Sequence, residues 1–320
     1  MIAIEEIRSA RERIAGVALR TPLVRLPADL APAGGAPVEI WLKLENLQPI
    51  GSFKIRGAAN AMRKAPREAL SRGVITASAG NMAQGVAWNA RALGVPCTVV
   101  VPDHAPRTKL EAIERLGGRI VRVPFERWWQ CIVDHSFPGL DGVFVHPVEN
   151  EDVMAGNGTI GLEILEDLPD VDAVLVPWGG GGLASGIASA LRALRPDARV
   201  FAVEVATAAP VSASLSAGSP QTVEYNASFV DGMGAKSILP RMWPLARELL
   251  AGAIVVSLDE VAGAVRVLAE RVRVIAEGAG AAPVAAATSG RAPAGRVVCV
   301  VSGGNIDSAK LVRILSGETP

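Results

Sequence analysis

Aromatic residues are scarce in this chain: six tryptophans, six phenylalanines and one tyrosine among 320 residues. Cysteine and histidine are scarcer, at three each. Cys97, Cys131 and Cys299 stand far apart with no CxxC pair. That excludes a disulfide-built scaffold and leaves buried apolar filler as the reading that suits them. His104, His135 and His146 lack ligand spacing and have no carboxylate or cysteine placed as in a zinc motif, so no metal site is expected. Net charge is missing as well, with 32 basic residues against 32 acidic ones. No long-range field would therefore gather nucleic acid or an acidic membrane. No apolar run reaches the roughly 18 residues that a bilayer span needs. The opening MIAIEEIRSARERI carries acidic residues and lacks the basic-then-apolar layout of a secretory signal. These absences point to a cytoplasmic protein without nucleic-acid or membrane partners.

What is present is a chain long enough for two domains, half apolar and one-fifth charged, which is a composition that folds. Short apolar runs alternate with amphipathic stretches. Helices are expected over Ile4–Ala15, Lys54–Arg63, Asn81–Leu93, Ala105–Leu116, the TIGLEILEDL run, Ala184–Leu194 and Leu258–Ala276. Strands are expected at VEIWLKLE, GVITAS, CTVVVP, RIVRVP, GVFVHP, AVLVPW, RVFAVEV and RVVCVVSGG, with a turn-rich connector before TIGLEILEDL. Apolar strands separated by helices argue for parallel sheets covered on both faces. In such folds ligands gather beyond the C-terminal strand ends. The unusual loops of this sequence lie at those ends.

The first is LENLQPIGSFKIRG, where Lys54 sits between Phe53 and Ile55 in a glycine-flanked turn. The second is SAGN, Ser78–Asn81, which closes a strand and opens a helix; it suits either a carboxylate held by helix-end amides or a plain N-cap. The third is VPWGGGGLASG. Four consecutive glycines, Gly179–Gly182, sacrifice backbone entropy that a plain turn has no use for. Their amides can converge on one anion at a helix N-terminus, and a phosphate is the natural occupant. Tight helix-to-strand packing is the competing reading. The run is neither GxGxxG nor GxxxxGK[ST]. The fourth is VVSGGNIDS, where Ser302 ends the last strand and by itself could equally be a turn donor.

Taken together, these motifs resemble the fold-type II pyridoxal-phosphate enzymes, most closely the serine/threonine dehydratase (threonine ammonia-lyase) family. The resemblance covers nearly the whole chain and is carried by GSFKIRGA, SAGNMAQG, GGGGL, SGGN and AGNGTIGLEI. It implies a tryptophan-synthase-β-like α/β fold with two open, parallel or mostly parallel sheets and the cofactor cleft between them. Residues 51–147 would form the small domain, and 1–50 with 148–320 the large cofactor-binding domain. It implies pyridoxal phosphate carried by Lys54, with Phe53 against the ring and Asn81 at its phenolic oxygen. Gly179, Gly180, Gly181, Gly182 and Leu183 would hold the phosphate, and Ser302 would sit at the pyridine nitrogen. Ser78, Ala79, Gly80, Asn81 and Met82 would bind the substrate, with its carboxylate at Ser78–Asn81 and Met82 near its β-carbon. A homodimer is implied, with an amino acid as the small-molecule partner.

Departures from the family pattern narrow the reading. Met82 stands where histidine is common. Ala79 replaces the serine that racemases of this family use as the opposite-face acid/base, so racemisation is disfavoured. Glu204 matches one cation ligand of some relatives, but Pro210 stands where the aspartate would be. With the chain ending soon after SGGNIDSAKLVRIL, the expected form lacks the C-terminal regulatory domain. The implied reaction is β-elimination from a 3-hydroxy amino acid, L-threonine or L-serine, giving a 2-oxo acid and ammonia, with freed Lys54 taking the α-proton. The runner-up substrate is bulkier, such as phenylserine, because Met82, Trp178, Phe125–Trp129 and Trp243 are candidates to line an apolar pocket. A β-replacement synthase and a non-catalytic amino-acid-binding protein are further alternatives.

Overall fold

A computed structural model describes residues 1–32 and 37–320. The N-terminal segment supplies helix α1 (Ile4–Arg13) and strands β1 (Leu23–Arg25) and β2 (Val38–Lys43). Then come α2 (Lys54–Lys64), α3 (Arg67–Ser71), β3 (Val74–Ala77), α4 (Asn81–Leu93), β4 (Cys97–Pro102) and α5 (Arg107–Arg115). Strand β5 (Arg119–Val123), α6 (Phe125–Asp134) and β6 (Val143–Phe144) follow. Helix α7 (Glu151–Asp167) leads to β7 (Ala173–Pro177), α8 (Gly182–Leu194), β8 (Arg199–Val205), α9 (Pro210–Ala217), α10 (Trp243–Leu249) and β9 (Gly252–Val256). The chain closes with α11 (Leu258–Val267), α12 (Gly278–Thr288), β10 (Gly295–Val300) and α13 (Ser308–Leu315).

The strands form two sheets. One has the order β5-β4-β3-β6 and is parallel throughout. The other runs β1-β2-β10-β7-β8-β9 and is parallel except for its antiparallel edge pair β1–β2. Side chains alternate across each sheet, as a two-residue repeat requires. On β10, Val297 and Cys299 join the core on one face of the larger sheet, and Val298 and Val300 the core on the other. On β4, Val99 and Val101 face one small-sheet core while Val100 faces the other. Both faces are therefore covered, which is why these strands read as unbroken apolar runs.

Two segments differ from the expectation. The connector before TIGLEILEDL is helical from Glu151 onward. Asn150 caps it, its side chain accepting from the Val153 amide at 2.9 Å, and Glu151 and Asp152 favour the positive helix end. Its glycines serve close packing: a Cβ on Gly156 would meet the Arg56 carbonyl oxygen at 2.5 Å, and one on Gly158 the Gly186 carbonyl oxygen at 2.9 Å. The expected helix Leu258–Ala276 is the second difference. It ends at Val267, continues as one wide turn over Leu268–Val272, and stops at Arg273, whose φ is 67°. Val272, Val274 and Ile275 are β-branched and weak helix formers. The backbone beyond them turns instead to the last strand's loop, with the Glu277 amide donating to the Gly303 carbonyl at 3.0 Å.

Candidate active site

Lys54 opens α2, and the preceding turn is stapled to the end of β10. The Phe53 amide donates to the Ser302 carbonyl at 3.0 Å, and the Gly304 amide to the Gly51 carbonyl at 2.9 Å. Lys54 Nζ donates to the Pro147 carbonyl at 3.0 Å and stands 5.1 Å from the centre of the Phe53 ring. Burial pushes its pKa down to about 8, with Glu277 acting weakly the other way. The amine is thus closer to its neutral, nucleophilic form than a surface lysine would be.

A cavity of about 530 Å³ gathers the strand-end loops. Phe53, Lys54, Ser78, Ala79, Gly80, Asn81, Met82, Gly179, Gly180, Gly181, Gly182, Leu183 and Ser302 all line it. Every site residue singled out in the sequence is thereby brought to one place. Trp178 and the Phe125, Trp128 and Trp129 side chains line it too, whereas Trp243 packs against the core of the larger sheet.

The glycine run needs its composition twice over. Gly181 has φ +95°, a conformation that side chains resist, and a Cβ there would lie 2.4 Å from the Trp178 ring. A Cβ on Gly180 would lie 2.3 Å from a Val148 methyl. The cradle and tight-packing readings are therefore compatible: one side of the run rests on Val148 and Trp178, while the run lines the cavity at the N-terminus of α8.

At the carboxylate-sized loop, the Gly80 amide donates to Ser78 Oγ at 3.2 Å, shaping the turn. Asn81 is held from both ends. Its Nδ2 donates to Glu277 Oε1 at 2.8 Å, and its Oδ1 accepts from Asn305 Nδ2 at 2.8 Å. Met82 is 2% exposed and packs in the small-sheet core beneath the loop.

Sequence reading missed Glu277. It is buried, lines the cavity, and has its pKa raised to about 7 by burial, with Asp231 adding to the shift and the Asn81 hydrogen bond opposing it. In the sequence it looked like an ordinary acidic residue after a helix. Glu204, the matched half of a cation pair, is also buried; its carboxylate accepts from the Val211 and Ser212 amides, each at 2.8 Å, at the start of α9. Pro210 begins that helix and brings no N–H of its own.

Two of the three histidines do come together, which their spacing did not foretell. Ligand atoms of His135, His146 and Glu149 lie within 4.8 Å of one another. Yet His146 Nδ1 already accepts from the amides of Val148 (3.0 Å) and Glu149 (2.7 Å). The neutral ring therefore carries its proton on Nε2 and has no lone pair left for a cation. Burial first, then His135, drives its pKa down to about 3.

With this geometry in place, likeness to known proteins becomes informative. Residues 14–303 match the family described as "Pyridoxal-phosphate dependent enzyme". The chain is similar to an L-threonine ammonia-lyase of Geobacter sulfurreducens, 42% identical over 96% of this chain and 76% of the relative. It is 40% identical to an L-threonine ammonia-lyase of Thermotoga maritima over 99% of this chain and 79% of that one. Among solved structures, maize serine racemase superposes with a TM-score of 0.89 at 32% identity, covering 98% of this chain and 97% of the other. Among the described residues, no helix is long and apolar enough to cross a membrane.

Proposed function

The chain belongs to the pyridoxal-phosphate dependent enzymes, and from that premise we propose that it is an ammonia-lyase acting on a 3-hydroxy amino acid. L-Threonine is the leading substrate, with L-serine beside it, and the products are a 2-oxo acid and ammonia. The observation that carries this reading is the meeting of Lys54, the Ser78–Met82 loop and the Gly179–Gly182 run in one cavity.

The residues fit the cofactor: a lysine of lowered pKa, a glycine run at a helix N-terminus and a strand-end serine line the same space. Gly179–Gly182 and Leu183 would hold its phosphate, Lys54 its carbonyl carbon, and Phe53, Asn81 and Ser302 its ring. Bound there, pyridoxal phosphate supplies an electron sink for the α-carbon. The protein's own part is positioning and proton movement. The amides of Ser78–Met82 would bind the substrate carboxylate at the start of α4. Asn81, fixed by Asn305 and Glu277, would keep one orientation throughout. Lys54 Nζ, neutral in part at physiological pH, would take the α-proton. Ala79 offers no group to return a proton from the opposite face, which favours loss of the β-hydroxyl over racemisation.

The same reading includes a small domain over residues 51–147, a large one from 1–50 and 148–320, a homodimer, and a cytoplasmic setting. Three buried, unpaired cysteines support a reducing compartment. The test is release of 2-oxo acid and ammonia from L-threonine and L-serine by the reconstituted protein, with chiral analysis of the remaining serine. Formation of D-serine at a rate comparable with pyruvate would overturn the assignment in favour of a racemase.

A further inference from the structure

Thirteen aromatic residues (six Trp, six Phe, one Tyr) serve the whole chain, and six of them line the cavity that holds Lys54: Phe53, Phe125, Trp128, Trp129, Trp178 and Tyr225. Phe53 and Trp178 have local partners in the Lys54 turn and beneath Gly181. The others need a different account. Phe125, Trp128 and Trp129 follow one another at i, i+3 and i+4 on the first turns of α6, so they share a helix face. Their rings form a continuous surface, with centroids 5.5 Å apart for Phe125–Trp128 and 6.3 Å for Trp128–Trp129, and the His104 ring extends it at 6.0 Å from Phe125. Unlike core aromatics, Phe125 is 46% and Trp129 44% exposed. Large apolar surface at a cavity wall is what an apolar ligand group covers.

At this end two lysines share one carboxylate. The charged residues lining the cavity are Lys54, Lys109, Asp231 and Glu277. Lys109 bonds Asp231 at 3.0 Å, and Asp231 also meets Lys310 at 3.4 Å. Lys54 and Glu277 lie with the loops assigned to the cofactor and the carboxylate. Lys109, the cavity-lining lysine outside the Lys54 loop, is thus already bonded to a carboxylate, and the α6 wall presents a broad ring surface to an apolar group.

We propose that the α6 face is a side-chain subsite of this cavity that takes an aromatic or comparably large apolar substituent on the β-carbon of the amino acid. The proposal rests on the reading of the site as one for amino acids, and it extends the substrate class beyond threonine and serine to aryl 3-hydroxy amino acids. Offset and edge-to-face contacts would orient the ring, and apolar burial would supply the affinity.

The test separates this subsite from the elimination reaction. Calorimetric titration of the holoenzyme with L-phenylalanine and L-alanine compares two amino acids of identical head group, neither with a leaving group. L-Phenylalanine should bind at least tenfold more tightly. Trp129→Ala and Phe125→Ala should each cut that ratio threefold or more, with L-alanine as each variant's own reference. Val133→Ala, on the same helix, exposed and outside the cavity, should leave the ratio as it is. In turnover, L-threo-3-phenylserine should be a substrate beside L-threonine, and Trp129→Ala should lower its kcat/KM at least threefold relative to that for L-threonine. Equal affinities for phenylalanine and alanine, in an enzyme that turns over threonine, would overturn the subsite. Tight phenylalanine binding without turnover of any hydroxy amino acid would support the subsite and sink the lyase reading instead.

Discussion

Arg56 lies two residues after Lys54, and its replacement tests how helix α2 is anchored. The guanidinium is 2% exposed and makes six contacts: two to Glu45, two to Glu163, one to Thr159 Oγ1 and one to the Leu19 carbonyl. Lys43, fully buried, bonds Glu163 at 2.6 Å. Two cations thus balance two carboxylates in the interior, tying α2 to α7 and to the segment around β2. Arg56→Met keeps much of the volume but leaves Glu45 with only Thr21 and Gln48 as hydrogen-bond donors. An uncompensated buried carboxylate costs about 3–5 kcal/mol. In a chain of this size that corresponds to a fall in Tm of roughly 5–8 °C.

The effect should depend on pH in a defined sense. Burial acts to raise the Glu45 pKa, but the Arg56 charge and hydrogen bonds outweigh it and hold the carboxyl below its usual value. In the native protein this stabilisation is present above the unfolded value of 4.5 and lost as pH falls through the folded one. In Arg56→Met burial is opposed only by the Thr21 and Gln48 hydrogen bonds and the Lys43 charge, so Glu45 takes up a proton more readily than in the parent. The difference between variant and parent should therefore be largest at neutral pH and shrink toward pH 4.5. Urea unfolding at several pH values measures it. The double variant Arg56→Met/Glu45→Leu, which removes one charge of each sign, should recover part of the loss. A single-variant loss under about 1 kcal/mol at pH 7, or no recovery in the double variant, would refute the reasoning.

Three further outcomes are expected. Lys54→Ala should abolish both the visible absorbance of bound cofactor and turnover, and a cofactor–lysine adduct on any peptide lacking Lys54 would contradict that. Gly180→Ala should weaken cofactor retention tenfold or more, because the new methyl meets Val148; Val148→Ala in the same chain should restore much of it, and failure of that rescue would reject the steric account. His146 stays neutral to about pH 3 when folded but protonates near 6.5 when unfolded, so it removes stability as pH drops below 6.5, by up to about 1.4 kcal/mol per unit. Glu204 and Glu277 push the other way across part of that range, so the measurement is the difference in slope between parent and His146→Gln, and parallel slopes would refute it.

The fold was legible wherever a run buried both faces or a helix had a clear end. Asn81–Leu93, Cys97–Pro102 and Arg199–Val205 have the bounds their patterns suggest. Elements with mixed signals were not read. The segment after Pro124 carries three bulky aromatics, which do not favour a helix by propensity, yet it forms α6 with Cys131 and Ile132 packed into the core. GAIVV is short and comes directly after helix α10, and it becomes strand β9 with β8 beside it to pair with. Helix α12 is almost wholly alanine, glycine and valine, so no polar face marks its period.

For the site, the line between legible and hidden follows the distance over which a signal acts. Glycine runs and the lysine turn announce themselves because their backbone demands are local. Glu277 has no such demand: what makes it special is desolvation and a bond from Asn81, 196 positions away. Its acidity is shifted by the tertiary structure alone. The same holds for the Pro147 carbonyl that receives Lys54, and for Val148, whose methyls fix the identity of Gly180. Glu277 reaches the cavity from a helix flank, Pro147 from the end of an expected strand and Val148 from the connector that follows it. A local motif can therefore name the groups that line the cavity. The groups that set their protonation and orientation become visible only when the two sheets are brought together, and Asn81 marks the join: it sits on the small sheet's loop and is gripped by Glu277 and Asn305 from the large one. Any change in how the two halves approach must then alter the orientation of Asn81 as well as the width of the cleft.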